Sequence, residues 1–349
     1  MTIQLSICIP SYNRAKFLPD LLNSIVSQYD ERVEIVISDN GSIDGTEALV
    51  RTWQQKYPRI VYERFTKNVG PDRCFMRSVE LASGTFCWLM GDDDIIEQGG
   101  LERVLNALSD SLTGITVNRF AYDSSLQKKW IEPSITGLDK DTLFIDAKRC
   151  FSSIFVLFGF LSAQIIRKSA WISVIKQEDV SPYFNAYVLV YIMGRMIQKE
   201  PSWLYIDMPC VGWRSGNDSF AAELGRYRRF KLDVLGYDSI LQGLFSKDKP
   251  FLKQMLTRVL QVHLLGHVRD LKFTSSGFVW QGLTLCLPRF YKLTAFWMSL
   301  FPLLCVPKSL LLFARKLKCL SRIFLLRQKE FFCYKSRSDK GVMCKEKEL

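Results

Sequence analysis

The sequence predicts an α/β fold, in which a largely parallel sheet with helices on both faces is followed by a helical, basic C-terminal region. Over about the first 90 residues, short β-rich apolar runs alternate with amphipathic helical patterns, which is typical of parallel sheets. From about Gly225 onward, the apolar residues recur at helical spacing. Residues 250–349 carry 18 Lys or Arg against 5 Asp or Glu, so the net charge of +12 is concentrated there.

Four strands are predicted in the first part of the chain, and each ends in a polar loop. They are Leu5–Pro10, Val33–Ser38, Ile60–Phe65 and Thr85–Met90, with helical patterns between them at residues 17–25, 44–57 and 72–82. Ligands of parallel sheets bind beyond the carboxyl ends of the strands. Because Asn13, Asp39, Asn68 and Asp92 follow the four strands, we expect these loops to line one crevice.

The middle of the chain is less regular. Strands are predicted at Gly114–Tyr122, Gly159–Arg167 and Leu204–Arg214, and helices at Lys168–Lys176 and Tyr183–Ile197. The polar loop 215–219 follows the last of these strands, and helical spacing then continues toward the C-terminus.

Composition narrows the classes of protein that fit. The 349 residues are 48% hydrophobic and 23% charged, which is globular composition and excludes disorder outside residues 337–349. The ten cysteines have no C-x-x-C spacing, which argues against a zinc or redox motif. The N-terminus lacks the basic flank of a secretory signal, and scattered thiols then indicate a reducing cytosol.

The acidic run Asp92-Asp93-Asp94 ends a buried apolar strand. Three adjacent carboxylates repel one another, and a divalent cation such as Mn²⁺ or Mg²⁺ would compensate this repulsion. Such a cation also screens the charge on a departing phosphate group. The alternative is a solvated loop, or a cap for the helix after Gly99. The position of the run at a strand end, beside three other polar loops, favours the metal site.

Four ordered motifs resemble the nucleotide-binding half of family 2 glycosyltransferases, which have the GT-A fold. The motifs are SICIPSYNR, EIVISDNGSIDGT, KNVG and WLMGDDD. The resemblance is strong over residues 3–100 and weakens toward residue 220. The Gly-Asp-Asp-Asp form is similar to that of O-antigen sugar transferases of the abequosyltransferase type. The resemblance therefore implies a nucleoside-diphosphate sugar donor and, for this type, a lipid-linked oligosaccharide acceptor.

The resemblance also implies roles for individual residues. Pro10, Tyr12 and Arg14 are expected in the base and ribose pocket, with Asn68 on the neighbouring loop. Asp39 is expected to bind the nucleobase, although it could instead only brace its turn. Asp94 is expected to bind the metal directly, and Asp92 to contact either the ribose or a metal-bound water. Arg214 lies in a loop expected to close over the diphosphate, and Arg73 or Arg77 could reach a phosphate or form a surface salt bridge.

An inverting enzyme of this family needs a carboxylate base to deprotonate the acceptor hydroxyl. Glu178 and Asp179 fall in the expected window after the acidic run and are the predicted catalytic residues. A solvated surface pair is the alternative, and Asp207 is a weaker candidate. Retention of configuration is also compatible with the abequosyl type, so the role of the base stays open at this stage.

The two histidines, His263 and His267, lie four residues apart on a predicted helix. This spacing is compatible with zinc. However, no Glu follows His263 and no third ligand is evident, so we expect both side chains to serve packing.

The C-terminal third is predicted to associate with a membrane surface. Residues 295–314 are nearly long enough to span a bilayer, but Pro302, Pro307 and Lys308 interrupt them. An amphipathic basic helix is expected from Lys308 to Phe324, with a soluble helical domain or an oligomer contact as alternatives. We divide the chain into a nucleotide-sugar-binding half (1–120), an acceptor-binding half (121–225) and a membrane-associating region (226–349). The expected location is the cytoplasmic face of the inner membrane, as a peripheral protein on anionic lipid.

Two other functions fit parts of the sequence. A metal-dependent nucleotidyltransferase would also use clustered Asp, but it usually has a Gly-rich loop after the first strand, which residues 11–14 lack. A nucleic-acid-binding protein would explain the charge alone. It would not explain why the basic residues lie among apolar ones, so no nucleic-acid partner is expected.

Overall fold

The chain forms one ten-stranded mixed sheet with helices on both faces and a bundle of helices after it. In the computed structural model, residues 2–130, 136–274, 278–310 and 312 are described. The strands are β1 (Leu5–Ser11), β2 (Val33–Asp39), β3 (Ile60–Arg64), β4 (Phe86–Leu89), β5 (Ile95–Ile96), β6 (Gly114–Tyr122), β7 (Lys129–Trp130), β8 (Thr142–Phe144), β9 (Gln164–Arg167) and β10 (Trp203–Arg214). Their order is β3-β2-β1-β4-β9-β6-β10-β5, while β7 pairs with β6 and β8 with β10.

The helices alternate with the strands in the first part of the chain and follow one another in the last part. They are α1 (Leu18–Val26), α2 (Thr46–Lys56), α3 (Pro71–Leu81), α4 (Gly100–Leu105), α5 (Ala147–Ile154), α6 (Lys168–Gln177), α7 (Val188–Lys199), α8 (Ser219–Leu224), α9 (Arg226–Phe245), α10 (Lys249–Val259), α11 (Leu265–Thr274), α12 (Phe278–Phe290) and α13 (Phe301–Cys305). Segments Leu260–Leu264 and Phe296–Leu300 are π-helical.

The first four predicted strands are parallel, as expected. β1 pairs in parallel with both β2 and β4, and β2 pairs in parallel with β3. Every residue of β1 and β2 is buried, because helices cover both faces of the sheet. Leu5, Ile7 and Ile9 belong to the core on one face, whereas Cys8 belongs to the core on the other. The carboxyl ends of these strands consequently meet at one edge of the sheet.

Two elements in the middle of the chain differ from the prediction. The strand expected at Gly159–Arg167 is limited to β9 and runs antiparallel to both β4 and β6, since residues 161–163 form a 3-10 turn. The helix expected from Tyr183 starts at Val188. Ala186 just before it has a left-handed φ of 69°, and two backbone amides there, those of Ala186 and Val188, donate to Asp72 of α3 instead of continuing a helix.

The C-terminal helices extend the core of the sheet. A single buried cluster runs from Cys8 and Val36 in the sheet to Leu300 and Leu304 near the end of the described chain. The boundary predicted at residue 120 falls inside β6, so both predicted halves contribute to one sheet. Within the described ranges, no helix is long and apolar enough to cross a bilayer. Most of the basic helix expected at 308–324 lies outside the described residues.

Candidate active site

A cavity of about 420 Å³ opens at the carboxyl ends of β1 to β4. Its walls include residues from all four strand-end loops, from the turn before β9, from the end of β10 and from α9. The lining includes Pro10, Tyr12, Arg14, Asn40, Asn68, Asp92, Asp93, Asp94, Phe160, Ser162, Tyr187, Trp213, Arg214, Asn217, Asp218 and Arg229. Of the predicted binding residues, the structure brings together Pro10, Tyr12, Arg14, Asn68, Asp92, Asp94 and Arg214. Asp39 and Arg73 are not among the lining residues.

The loops after β2 and β3 are fastened to each other by Asn40. Its amide donates to the side chain of Asn68 at 3.0 Å and accepts from the backbone of Val69 at 2.8 Å. Gly41, next to Asn40, has a φ of 80°, and a Cβ there would lie 2.8 Å from the backbone of Lys67. A side chain at this position would therefore separate the two loops. The close approach places both asparagines on the cavity wall.

Asp39 serves as a brace of its turn in this structure, which is the alternative role considered for it. The residue is fully buried. One carboxylate oxygen accepts from the backbone of Ser42 at 2.8 Å, and the other accepts from the Tyr62 hydroxyl at 2.7 Å. Asp39 does not line the cavity, whereas the next residue, Asn40, does.

The three carboxylates of the acidic run have different partners. Asp92 forms a salt bridge with Arg14 at 3.4 Å. Asp93 accepts from the amide of Asn217 at 2.6 Å. Asp94 accepts from the Ser162 hydroxyl and from the backbone amide of Arg214. The turn before β9 and the end of β10 thus fix Asp93 and Asp94 from outside the first 100 residues.

The acidic run carries more negative charge than its neighbours neutralise. Burial raises the pKa of Asp92 and of Asp94, and in both cases the adjacent Asp93 raises it further. Arg14 lowers the pKa of Asp92 only in part. Buried carboxylates in this situation favour either a proton or a cation.

These carboxylates fit a divalent cation that takes further ligands from a substrate. Among the residues that the structure describes, no group of three or more His, Cys, Asp or Glu side chains could hold a metal ion by itself. Mg²⁺ and Mn²⁺ do not need such a group, because one or two carboxylates together with substrate phosphates and water complete their coordination. The donor set of Asp92 and Asp94 is of this kind.

Arg214 is occupied by protein groups. Its guanidinium donates to the backbone carbonyls of Asp93 and Ser124, both at 2.8 Å, and to the carboxylate of Asp20 at 2.6 Å. The side chain is buried and also lies over the ring of Phe17. Arg214 therefore holds the acidic loop in place at the cavity wall, and its contact with a diphosphate stays a prediction.

A cationic side chain that the sequence analysis missed is Arg229 on α9. It lines the cavity and pairs with Asp218 at 3.0 Å and with the buried Asp233. Asp233 also accepts from the Tyr187 hydroxyl and contacts His267 at 3.1 Å. The sequence offers one weak signal, the cluster Arg226, Arg228 and Arg229 shortly after the polar loop 215–219. Only packing of α9 shows which of the three faces the cavity.

An aromatic wall was also missed. The rings of Phe160 and Trp213 lie 6.5 Å apart in an edge-to-face arrangement. The guanidinium of Arg119 lies 4.2 Å from the centre of the first ring and 4.8 Å from the second. Apolar rings at one side of an otherwise polar cavity are typical of sites that orient a ligand by shape.

The two predicted basic contacts on α3 lie elsewhere. Arg73 borders a shallow neighbouring pocket, and its guanidinium lies 6.0 Å from the ring of Phe184. Arg77 forms salt bridges with Glu63 and Glu80, both at 2.7 Å. Arg77 therefore forms the surface salt bridge that was considered as the alternative to a phosphate contact.

The predicted catalytic pair does not line the cavity. Glu178 accepts from Arg195 and Tyr191 and pairs with Lys199 at 3.2 Å. The hydrogen bond from Arg195 lowers the pKa of Glu178 to about 2, which makes it a poor base. Asp179 accepts from the backbone of Ser181, two residues further on. The weaker candidate Asp207 is likewise absent from the lining, so none of the three borders this cavity.

The histidines pack inside the helical region. The imidazole of His263 stacks on the ring of Tyr237 with centres 4.8 Å apart, and its Nε2 is buried without a hydrogen-bond partner. His267 contacts Asp233. This arrangement agrees with the packing role expected for His263.

Comparison with known proteins identifies the family. A family model described as "Glycosyl transferase family 2" matches residues 6–167. The chain is 34% identical over 261 residues to abequosyltransferase RfbV of Salmonella typhimurium, which covers 70% of this chain and 76% of that protein. This chain belongs to family 2 of the glycosyltransferases. It is also 28% identical over 143 residues to the GalNAc(5)-diNAcBac-PP-undecaprenol beta-1,3-glucosyltransferase of Campylobacter jejuni, covering 40% of this chain and 45% of that protein.

Solved structures confirm the GT-A fold expected for family 2. The crystal structure of S. aureus TarS 1-349 in complex with UDP superimposes with a TM-score of 0.59 and covers 86% of each chain at 15% identity. At that identity the likeness concerns the fold alone. Membership of family 2 makes the chain a glycosyltransferase, and the alternatives of a nucleotidyltransferase and of a nucleic-acid-binding protein are set aside.

Proposed function

We propose that this glycosyltransferase moves a sugar from a nucleoside-diphosphate sugar to a hydroxyl of a lipid-linked oligosaccharide during assembly of a bacterial surface polysaccharide such as O-antigen. The observation that carries this proposal is the cavity at the strand ends, whose lining includes the acidic run, three asparagines and three arginines. The names of the relatives support it, since one transfers abequose and another acts on an undecaprenol-linked oligosaccharide.

The donor is proposed to bind with its nucleoside over β1 to β3. Pro10 and Tyr12 offer an apolar and an aromatic surface at the end of β1, and Asn40 and Asn68 offer amide groups that can both donate and accept. A nucleobase presents this mixture of a flat face and a polar edge. The fastening of Asn40 to Asn68 holds the amides before the ligand arrives, which lowers the entropy cost of binding.

The diphosphate is proposed to lie between the acidic run and the arginines. Mn²⁺ or Mg²⁺ bound by Asp94, with Asp92, would supply positive charge against the departing nucleoside diphosphate. Arg229 also lines the cavity and is held by Asp218 and Asp233. Guanidinium groups form paired hydrogen bonds with phosphates, so Arg229 is proposed to contact the diphosphate in addition to Arg214.

The acceptor hydroxyl loses a proton as it attacks the anomeric carbon of the donor. Since Glu178 and Asp179 lie away from the cavity, two lining carboxylates outside the proposed metal pair are candidates for this step. They are Asp93, which accepts from Asn217, and Asp218, which pairs with Arg229. The aromatic wall of Phe160 and Trp213 is proposed to contact the transferred sugar or the acceptor.

The enzyme is proposed to work as a peripheral protein on the cytoplasmic face of the inner membrane. A lipid-linked acceptor is confined to a bilayer leaflet, so an enzyme that docks there encounters it by diffusion in two dimensions. The basic character of residues 250–349 suits anionic lipid.

Nucleotide binding tests the central part of the proposal. Thermal unfolding should be measured with a panel of nucleoside diphosphates, with and without Mn²⁺. One of them at about a hundredfold above its Kd should stabilise the wild type by about 2.7 kcal/mol. Asp94→Asn should lose the metal-dependent part of the shift. Arg229→Lys should weaken nucleotide binding by about tenfold, because lysine offers a point charge in place of a planar fork.

A matched control for Asp94→Asn is Asp238→Asn on α9. The carboxylate of Asp238 also pairs with an arginine, Arg289 at 3.4 Å, but it does not line the cavity. This variant should bind the nucleotide as the wild type does. The proposal is wrong if no nucleoside diphosphate stabilises the wild type, or if Asp94→Asn responds to metal and nucleotide together as strongly as the control. Release of nucleoside diphosphate during turnover, and not of pyrophosphate, would confirm sugar transfer.

A further inference from the structure

Helix α12, the turn after it and the π-helical segment Phe296–Leu300 carry large apolar side chains on their outer surface. Trp280 and Met298 are each 76% exposed, while Trp297 and Tyr291 are about half exposed and Leu287 is 39% exposed. We call this set the aromatic face. Single exposed apolar residues are common on soluble proteins, but a group of this kind marks an interaction surface.

The members of the aromatic face are brought together by helical spacing. Trp280, Leu287 and Tyr291 are separated by seven and four residues, which places them within about 40° of one another around the axis. The amide of Tyr291 donates to the carbonyl of Leu287, so this spacing continues past the end of α12. The indole nitrogen of Trp297 donates to the carbonyl of Tyr291 at 2.8 Å, which joins the next segment to the same surface.

The other side of α12 is already occupied by the core. Phe278 packs with its ring 5.5 Å from that of Phe230 on α9, and Leu285 and Phe290 are buried. A surface helix of a soluble protein has an outer side rich in charged residues. Between Phe278 and Tyr291, however, Arg289 is the one charged residue in the sequence. Both sides of α12 are therefore mainly apolar, and one of them faces outward.

The stretch of sequence that contains the aromatic face carries charge of a single sign. Residues 271–329 contain no Asp or Glu. Over the same range the chain carries ten basic residues, which are Lys272, Arg289, Lys292, Lys308, Arg315, Lys316, Lys318, Arg322, Arg327 and Lys329. Lys292 is exposed and lies directly beside Tyr291, with its ammonium 5.4 Å from the ring centre.

We infer that the aromatic face is the surface by which the enzyme docks onto an anionic lipid bilayer. Tryptophan and tyrosine are the residues that prefer the boundary between headgroups and acyl chains, and lysine and arginine beside them attract anionic headgroups. A second copy of this chain would bring the same positive charge against itself, which opposes self-association through this face. This inference rests on the proposed membrane location and adds the residues that make the contact.

The docking surface lies one helix away from the cavity. Phe278 of α12 packs on Tyr227 and Phe230 of α9, and α9 carries Arg229 on the cavity wall. An enzyme seated on its aromatic face consequently holds this wall close to the bilayer. That placement suits an acceptor whose lipid tail remains in the leaflet.

Flotation of the full chain with lipid vesicles tests the inference. The wild type should float with vesicles of 70% phosphatidylcholine and 30% phosphatidylglycerol, and much less with phosphatidylcholine alone. Trp280→Ser combined with Met298→Ser should lower the partition coefficient at least about tenfold, because two exposed apolar side chains no longer enter the interface. Lys292→Glu should lower it by about tenfold for anionic vesicles only.

The matched control is Trp130→Ser on β7, which removes a tryptophan that is 39% exposed and far from α12 in sequence. It should float as the wild type does. All variants should retain the thermal shift with nucleoside diphosphate and Mn²⁺, which separates loss of docking from loss of the donor site or of the fold.

Four outcomes would overturn the inference. In the first, the wild type does not float with anionic vesicles. In the second, the double variant floats as the Trp130→Ser control does. In the third, Lys292→Glu lowers binding equally for neutral and anionic vesicles. In the fourth, size-exclusion chromatography shows a wild-type dimer that the double variant dissociates, which would assign the aromatic face to a second copy of the chain. Failure of nucleotide binding in the wild type would instead concern the proposed donor site.

Discussion

The buried histidine His263 makes the stability of this glycosyltransferase depend on pH in a way that one substitution can isolate. Its imidazole is enclosed between helices and stacks on Tyr237, and its Nε2 has no hydrogen-bond partner. Burial lowers the pKa of His263 to about 4, and the nearby cations Arg229 and Arg119 lower it further while Asp233 opposes them. In the unfolded chain the pKa of a histidine is about 6.5.

The sign of the effect follows from proton uptake. Below about pH 6.5 the unfolded chain protonates this histidine, whereas the folded protein keeps it neutral until about pH 4. The unfolded state then binds more protons, so the free energy of unfolding falls as the pH falls through this window. Between about pH 7.5 and about pH 5, the two pKa values give a loss of about 2 kcal/mol from this residue alone.

His263→Phe should remove this contribution. A phenyl ring can keep the stacking on Tyr237, and among the described residues Nε2 has no hydrogen-bond partner to lose. Urea unfolding of wild type and variant should be measured at both pH values. The wild type should lose about 2 kcal/mol more than the variant on acidification. Asp92 and Asp94, whose pKa values are raised, act in the opposite direction in both proteins and cancel in the difference. If the two proteins lose equal stability, His263 is not held neutral as described.

Substitutions at Asp72 and Gly159 test how the walls of the cavity are held. Asp72→Ala leaves the backbone amides of Ala186 and Val188 buried without acceptors, which should lower the free energy of unfolding in urea by about 2–4 kcal/mol. Asp72→Asn should have a stability between those of the wild type and Asp72→Ala, because one amide oxygen remains as an acceptor. Equal stability of all three proteins would contradict this brace. Gly159→Ala would place a Cβ 2.2 Å from the Tyr237 hydroxyl and should cost about 1–3 kcal/mol. Gly266→Ala, which meets nothing within 4 Å on α11, should instead gain about 0.5–1 kcal/mol, and a loss there would refute the packing argument.

The positions of the strand-end loops could be predicted from the sequence, because they follow from turn residues and from the periodicity of apolar residues. Apolar runs of β1 to β4 are bounded by turn residues, and parallel pairing then requires that their carboxyl ends lie at one edge. The structure confirms that the loops after these four strands meet in one cavity. The positive net charge of residues 250–349 likewise follows directly from the sequence.

The direction in which a polar side chain points could not be predicted from the sequence in this way. Asp39 and Asn40 are neighbours at the end of β2, and the strand pleat together with Tyr62 and Ser42 decides that Asp39 points inward. A sequence pattern that marks a strand end does not say which of two polar residues faces the ligand. That Asn40 and not Asp39 lies on the cavity wall was therefore evident only from the tertiary structure.

Partners distant in the chain decided the rest. Arg214, which lines the cavity, forms an ion pair with Asp20, 194 residues away in the chain. Glu178 pairs with Arg195 of α7 and does not line the cavity. Arg229 reaches the cavity because α9 packs behind Tyr187. By itself the sequence determined the fold, the family and the place of the acidic run, because these follow from periodicity and short motifs. Only the folded chain decided which charges are already paired, because an ion pair depends on distances that sequence separation does not limit.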